Sequence, residues 1–177
     1  MSMVKLSTLL LIFGFSFSLL ATNSHSQVHF DFYQFVVWYA PGMCIGVGFC
    51  ANDLPESWTI HGLWPSIDST TNMEISCEKH AQQLGITFTE SKIDVKDLVV
   101  MEQVWPNLQN VENENLWKHE YEKHGTCTLP DPAYPDWDDA LTAYFRAAVN
   151  IFTDPHTNVS NALTYNNIVP GSQTSEV

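Results

Sequence analysis

Apolar residues crowd the first 21 positions and then recur in short blocks, separated by polar stretches punctuated with Pro and Gly. Past that start, residues 30–38 are aromatic and β-branched and predict a buried strand. Pro41-Gly42 ends it, and Gly46, Gly48 and Pro55 mark the next stretch as irregular. Trp58-Thr59-Ile60-His61-Gly62-Leu63-Trp64 forms a second predicted strand, stopped by Pro65. Residues 66–80 read as a polar loop tied down by Cys77. Beyond it the period changes. Apolar residues at 95, 98, 99, 101 and 104 predict a helix over 93–104, closed by Pro106. Residues 114–124 lack Pro and Gly and stop at Gly125, a natural helix end. A third helix over 136–152 carries Ala140, Leu141, Tyr144, Phe145, Ala148 and Val149 on one face. Strands succeeded by helices, without regular β-α alternation, predict an α+β fold. No linker rich in Gly, Ser or Pro interrupts residues 27–177, which read as one domain.

The apolar start has a different meaning. Residues 1–26 hold one cation, Lys5, then the run Leu9-Leu10-Leu11-Ile12-Phe13, and Ser and Gly break up the remaining apolar positions. That is short of a membrane span of about 20 residues, and it predicts a signal peptide cleaved after Ser26, with Ala21 as a competing site. An uncleaved anchor is the alternative. The expected product is secreted or vacuolar, with no stable membrane association. Export predicts oxidised cysteines, so Cys44, Cys50, Cys77 and Cys127 should form two disulfides, for which spacing alone allows three connectivities. The absence of a CxxC pair speaks against a zinc-thiolate site. Asn158-Val159-Ser160 is a glycosylation sequon and would mark an exposed loop.

Composition narrows the function classes. At 45% hydrophobic residues the chain is too apolar for a disordered protein. Its formal net charge of -13 argues against holding nucleic acid on a broad basic surface.

The chemistry concentrates in Trp117-Lys118-His119-Glu120-Tyr121-Glu122-Lys123-His124-Gly125-Thr126-Cys127. At about 100° per residue, His119 stacks one turn from Lys123, and Glu120 one turn from His124. These four groups fill a stripe flanked by Trp117 and Tyr121, while Lys118 and Glu122 fall on the opposite, solvated side. Such a stripe is a poor core, because each group costs free energy to bury unpaired. A plain exposed face is the bland alternative. A zinc-peptidase motif needs its second His four residues after the first; position 123 is Lys, and His124 is turned about 140° away from His119. No metal is expected there. The other candidate is His61. A lone His beside tryptophans is most often a hydrogen-bonded core residue, although Gly62 permits close approach of another backbone or a ligand.

Together, Trp58 through Pro65 and Trp117 through Cys127 resemble the two active-site segments of the ribonuclease T2 family. Phe30-Asp31-Phe32-Tyr33-Gln34-Phe35-Val36-Val37 is similar to its first strand, and Trp105-Pro106-Asn107-Leu108 to the segment before the second motif. The resemblance implies a ribonuclease T2-type fold, an antiparallel sheet with flanking helices. It also implies metal-free, cofactor-free cleavage of single-stranded RNA through a 2′,3′-cyclic phosphate, by a monomer. By resemblance His124 is the base and His61 the acid; Glu120 and Lys123 lie beside the phosphate, and His119 binds it. Two imidazoles of pKa near 6.5 could hold opposite protonation states at mildly acidic pH. Trp64 is implied at one base site, and Asn107, Leu108 and Leu116 around the other. Cys44 is implied to pair with Cys50 and Cys77 with Cys127.

The chain also departs from the family pattern. Ser66 stands where Asp is frequent, Trp38 where a base-contacting Gln is usual, and Leu116 where an aromatic is common. Family members usually continue well beyond the region of Asn166-Asn167-Ile168, so C-terminal strands are expected to be missing. Two readings remain open. One is an active secreted acid endoribonuclease; the other is a catalytically impaired or non-folding relative that binds RNA or a protein partner.

Overall fold

The computed structural model describes residues 28–47, 50–68, 74–129, 133, 136–157, 161–162 and 165. The expected signal peptide, the Asn158 sequon and the region of Asn166 to Ile168 lie outside the described residues. Strand β1 (Phe32–Tyr39) pairs antiparallel with β2 (Trp58–Ser66), a two-stranded sheet among the described residues. Both strands are dense in aromatic and β-branched side chains, which suit a pleated, half-buried surface. The second strand does not stop at Pro65. It continues to Ser66, with Pro65 opposite Tyr33. Proline lacks a ladder donor and is tolerated at a sheet edge; its carbonyl here accepts from the Ile75 backbone N–H at 2.8 Å.

The connection between the strands is not wholly irregular. Helix α1 (Ala40–Val47) begins directly after β1, and Pro41 sits in its first turn, where a missing N–H costs nothing. The Cys44–Cys50 disulfide closes this segment. A second short helix, α2 (Glu78–Leu84), begins inside the stretch expected to be loop and ends at Gly85, whose φ of +65° is the left-handed cap glycine accommodates.

The three predicted helices appear with shifted ends as α3 (Val95–Val104), α4 (Asn113–Lys123) and α5 (Trp137–Thr153). Asp94 and Asp136 cap α3 and α5, each accepting a hydrogen bond from a first-turn backbone N–H. On α5 the buried residues Leu141, Tyr144, Phe145 and Ala148 follow the spacing of one helical face. On α3 the pattern is looser, since Val95 and Val99 are exposed and Met101 supplies the fully buried contact. Phe145 is the hub of the core, meeting the rings of Phe88, Trp105, Tyr121 and Tyr144.

Tyr144 ties these layers together. Its hydroxyl donates to the Leu63 carbonyl on β2 at 3.1 Å, with the Glu120 carbonyl of α4 at 3.3 Å. The Cys77–Cys127 disulfide, spanning 50 residues, pins the chain after β2 to the end of α4. There the Cys77 N–H caps the Lys123 carbonyl at 2.6 Å. Gly125 does not end α4 through a left-handed turn. A Cβ at this position would come within 2.6 Å of Tyr121 and 3.0 Å of Tyr144, so the glycine permits close packing instead.

Truncating the hub should be expensive. Phe145→Ala is expected to destabilise the fold by about 3–5 kcal/mol, read from the midpoint of a urea melt.

Candidate active site

Two elements build the site, and a backbone irregularity aims the first. The pairing register runs Phe35 with Leu63 and Val36 with Gly62, then jumps to Val37 with Ile60. His61 is the extra residue of a β-bulge, without a partner on β1. Bulges re-aim side chains in this way. The His61 carbonyl accepts from the Trp105 indole N–H at 2.8 Å, and Trp117 donates in turn to the Trp105 carbonyl at 2.8 Å. The bulge is thus held from behind by two indoles.

The second element is α4 and the residue just past it. Glu120 and His124 are both fully buried. His124 has left the helix, with φ -125° and ψ -37°, so its ring is not where helical geometry puts it. Instead the His119 and His124 ring centroids lie 6.3 Å apart, closer together than an offset of about 140° suggests. Across the site, His61 Nε2 is 3.5 Å from Glu120 Oε1. Glu120 Oε2 accepts from the Trp64 indole N–H at 2.8 Å. Trp64 also stacks on His124, centroids 5.1 Å apart, and meets His61 edge-on at 4.9 Å. One indole therefore touches all three groups. Gly62 makes room for this arrangement, since a Cβ there would overlap Glu120 Oε2 and Trp64 Nε1.

Burial dominates the electrostatics. It pushes the Glu120 carboxyl up to about 7, opposed by the Trp64 hydrogen bond and the Lys123 charge. His61 is lowered to about 4, first by burial and then by the charges of His119 and Lys123. His124 is lowered to about 3 by burial, then by Lys123 and His119, with the Ile75 backbone opposing. The expectation of two imidazoles near 6.5 is thereby corrected: both are held well below it. Among the described residues, Nδ1 of His61 and Oε1 of Glu120 have no hydrogen-bond partner.

His119 is exposed at the rim. Lys123 is partly exposed and its ammonium pairs with Glu74 Oε1 at 3.0 Å. His119, Glu120 and His124 each bring one donor atom to within 4.8 Å of the others, a grouping able to hold a cation. The Lys123 ammonium, which bears on both Glu120 and His124, works against one there. Of the residues expected to contact bases, Trp64 is the one that reaches this cluster, through its indole. Leu108 is fully buried, and its carbonyl accepts from Ala51 N–H at 3.0 Å. Asn107 spends its amide on its own loop, donating to the Glu112 carbonyl and accepting from Gln109 N–H. Leu116 is half-buried against the core. On the far side of α4, Lys118 is exposed as expected, but Glu122 accepts a hydrogen bond from Phe88 N–H at 3.1 Å. Trp38 and Trp105 both touch His61, and nothing in local spacing marks either as a neighbour of that residue.

Two histidines and a buried carboxyl thus converge where β2 meets the end of α4, an arrangement able to hold and exchange a proton. The Ribonuclease T2 family profile matches residues 30–177, and the chain belongs to that family. Ribonuclease M of Aspergillus phoenicis is 33% identical over 115 residues, covering 60% of this chain and 48% of its own. Ribonuclease DdI of Dictyostelium discoideum is 32% identical over 142 residues, 80% of this chain and 56% of its own. The chain thus spans about half the length of these relatives. Among solved structures, a mutant of RNase MC1 in complex with 5′-GMP superposes with a TM-score of 0.59 at 26% identity, over 82% of this chain and 68% of that one. Japanese pear S3-RNase gives 0.57 at 26% identity, over 80% and 64%. The α+β fold and the small antiparallel sheet are those of the family.

The shifted groups pull stability in opposite directions with pH. Between about pH 4.5 and 6.5 the unfolded chain protonates His61 and His124 while the folded one does not, so stability falls as pH falls. Over the same window folded Glu120 keeps a proton that the unfolded chain has lost, which partly offsets the loss. Glu120→Gln removes the offset. Urea melts across this window should show the slope of stability against pH steepen by up to about 1.4 kcal/mol per pH unit. An unchanged slope would mean the carboxyl titrates normally.

Proposed function

We propose that the protein is a secreted endoribonuclease that cleaves single-stranded RNA by transphosphorylation to a 2′,3′-cyclic phosphate. The observation that carries this reading is the grouping of the buried His124 and the half-buried His61 around the buried Glu120 carboxyl. A neutral imidazole is the form a general base requires, and His124 stays neutral throughout the mildly acidic range. It takes the proton of the 2′-hydroxyl as that oxygen attacks phosphorus.

The departing 5′-oxygen needs a proton from the opposite side, and His61 supplies it. In the free protein that proton resides on Glu120, whose carboxyl is pushed up to about 7 while His61 is lowered to about 4. A bound phosphate anion favours the imidazolium, and closing the 3.5 Å between Glu120 Oε1 and His61 Nε2 to a hydrogen bond would let the proton pass to His61. Lys123 and His119 offset the charge that builds on the phosphate oxygens. The RNase MC1 mutants solved with 5′-GMP and 5′-UMP support a nucleotide as the ligand class. Bases of single-stranded RNA bind such sites by stacking and edge contacts. Disulfides at Cys44–Cys50 and Cys77–Cys127 support export, and no helix among the described residues is long and apolar enough to cross a membrane. We place the protein outside the cell or in the vacuole, as a monomer.

His124→Ala should lower the rate of RNA dinucleotide cleavage by about 10²–10⁴ while retaining a cooperative melt. A cooperative melt of the unmodified protein with no cleavage across pH 4–7 would favour the impaired-relative reading.

A further inference from the structure

One face of His61 is covered by a residue that the reaction scheme does not use. Trp38 lies almost parallel to the imidazole, with ring centroids 3.6 Å apart and 29° between the planes. The contact exists because of the bulge. In an unbroken ladder His61 would sit opposite Val37, and Trp38 would lie on the other face of the sheet, since successive side chains alternate. The jump in register places Trp38 opposite Thr59 and swings His61 onto its side.

We propose that Trp38 is a positioning residue for His61: its indole clamps the imidazole against Glu120 and favours the protonated ring that must meet the leaving oxygen. The inference rests on His61 being the proton donor. His61 is then held on three sides, by Trp38 on its face, by the Trp64 edge at 4.9 Å and by Glu120 at Nε2. With no hydrogen bond at Nδ1 among the described residues, the ring's polar neighbour is Glu120 at 3.5 Å, and the stack adds a second restraint. An indole face also attracts a cation, and more strongly away from water. The charged groups facing His61 pull both ways. Glu120, when ionised, favours the imidazolium; His119, His124 and Lys123, all contributed by α4 and its end, oppose it. Strand β1 contributes no charge here, only the π-face of Trp38. Trp38 thus acts on the same balance without carrying a charge itself.

Comparing Trp38→Leu with Trp38→Phe separates this role from simple packing. Leucine keeps the site covered and removes the π-face, whereas phenylalanine retains one. With the histidines labelled for NMR, the His61 titration should fall by about half a pKa unit in Trp38→Leu and stay near its original position in Trp38→Phe. At a pH above that titration, kcat for a dinucleotide should drop about threefold in Trp38→Leu with KM little changed, that being the half-unit shift expressed as a rate. A His61 titration that is unmoved or higher in Trp38→Leu overturns the clamp, as does a Phe variant indistinguishable from the Leu one. His61→Ala checks the underlying reading on its own. Lost cleavage there, beside an unmoved Trp38→Leu titration, sinks the clamp alone. Near-normal cleavage by His61→Ala sinks the donor role, and the proposal with it.

Discussion

Glu120 lies fully buried with one hydrogen bond, from an indole, and a carboxyl in that position dictates what surrounds it. An ionised carboxylate could not stay there without partners, so the group either keeps its proton or draws one from a neighbour. The neighbours are arranged for that exchange. Trp64 holds one oxygen, His61 faces the other, and Gly62 keeps the space between β2 and α4 open. The helix itself is fixed from below by Tyr144 and at its end by Cys77. Burial is what raises the carboxyl, and the Trp64 hydrogen bond limits how far it rises.

How much of this is legible in the sequence differs sharply between elements. Helix α5 is legible because its burial keeps a regular period and Asp136 caps it. The proximity of Glu120 and His124 is legible too, from a spacing of four. The actual position of His124 is not, since that residue leaves the helix and helical arithmetic ceases to apply. The bulge is invisible for a related reason. It inserts one residue into β2 relative to β1, and a strand pattern read by itself carries no information about its partner's register. Pro65 misleads because a proline ends a central strand but not an edge one. Helices α1 and α2 span only 8 and 7 residues, too short for a periodic signal to rise above Pro41 and the polar composition of residues 66–80. The surroundings of the expected base contacts are the least legible: Asn107 spends its amide on its own loop, and Leu108 is buried with its carbonyl taken by Ala51.

The acidic balance of the chain takes on a local meaning. Lys92, Lys96 and Arg146 are engaged with Asp138, Asp94 and Asp97 at the surface, where solvent screens such pairs and they contribute little. Lys123 is the basic group near the buried carboxyl, and Glu74 already holds it in place. On the proposed reading, a phosphate would meet one ammonium, already paired with Glu74, and imidazoles that burial keeps neutral, on an acidic chain. That favours brief occupancy over tight retention, which suits turnover better than storage.

The skipped residue in β2 has a consequence for how the chain tolerates length changes. Deleting Ile60 would let the two strands pair without interruption, setting His61 opposite Val37 and turning the imidazole to the side of the sheet away from Trp38. Insertions and deletions are usually judged by what they cost the hairpin. Here the loss would fall on aim rather than on cohesion, so a variant could fold more regularly and still have nothing left to point at its substrate.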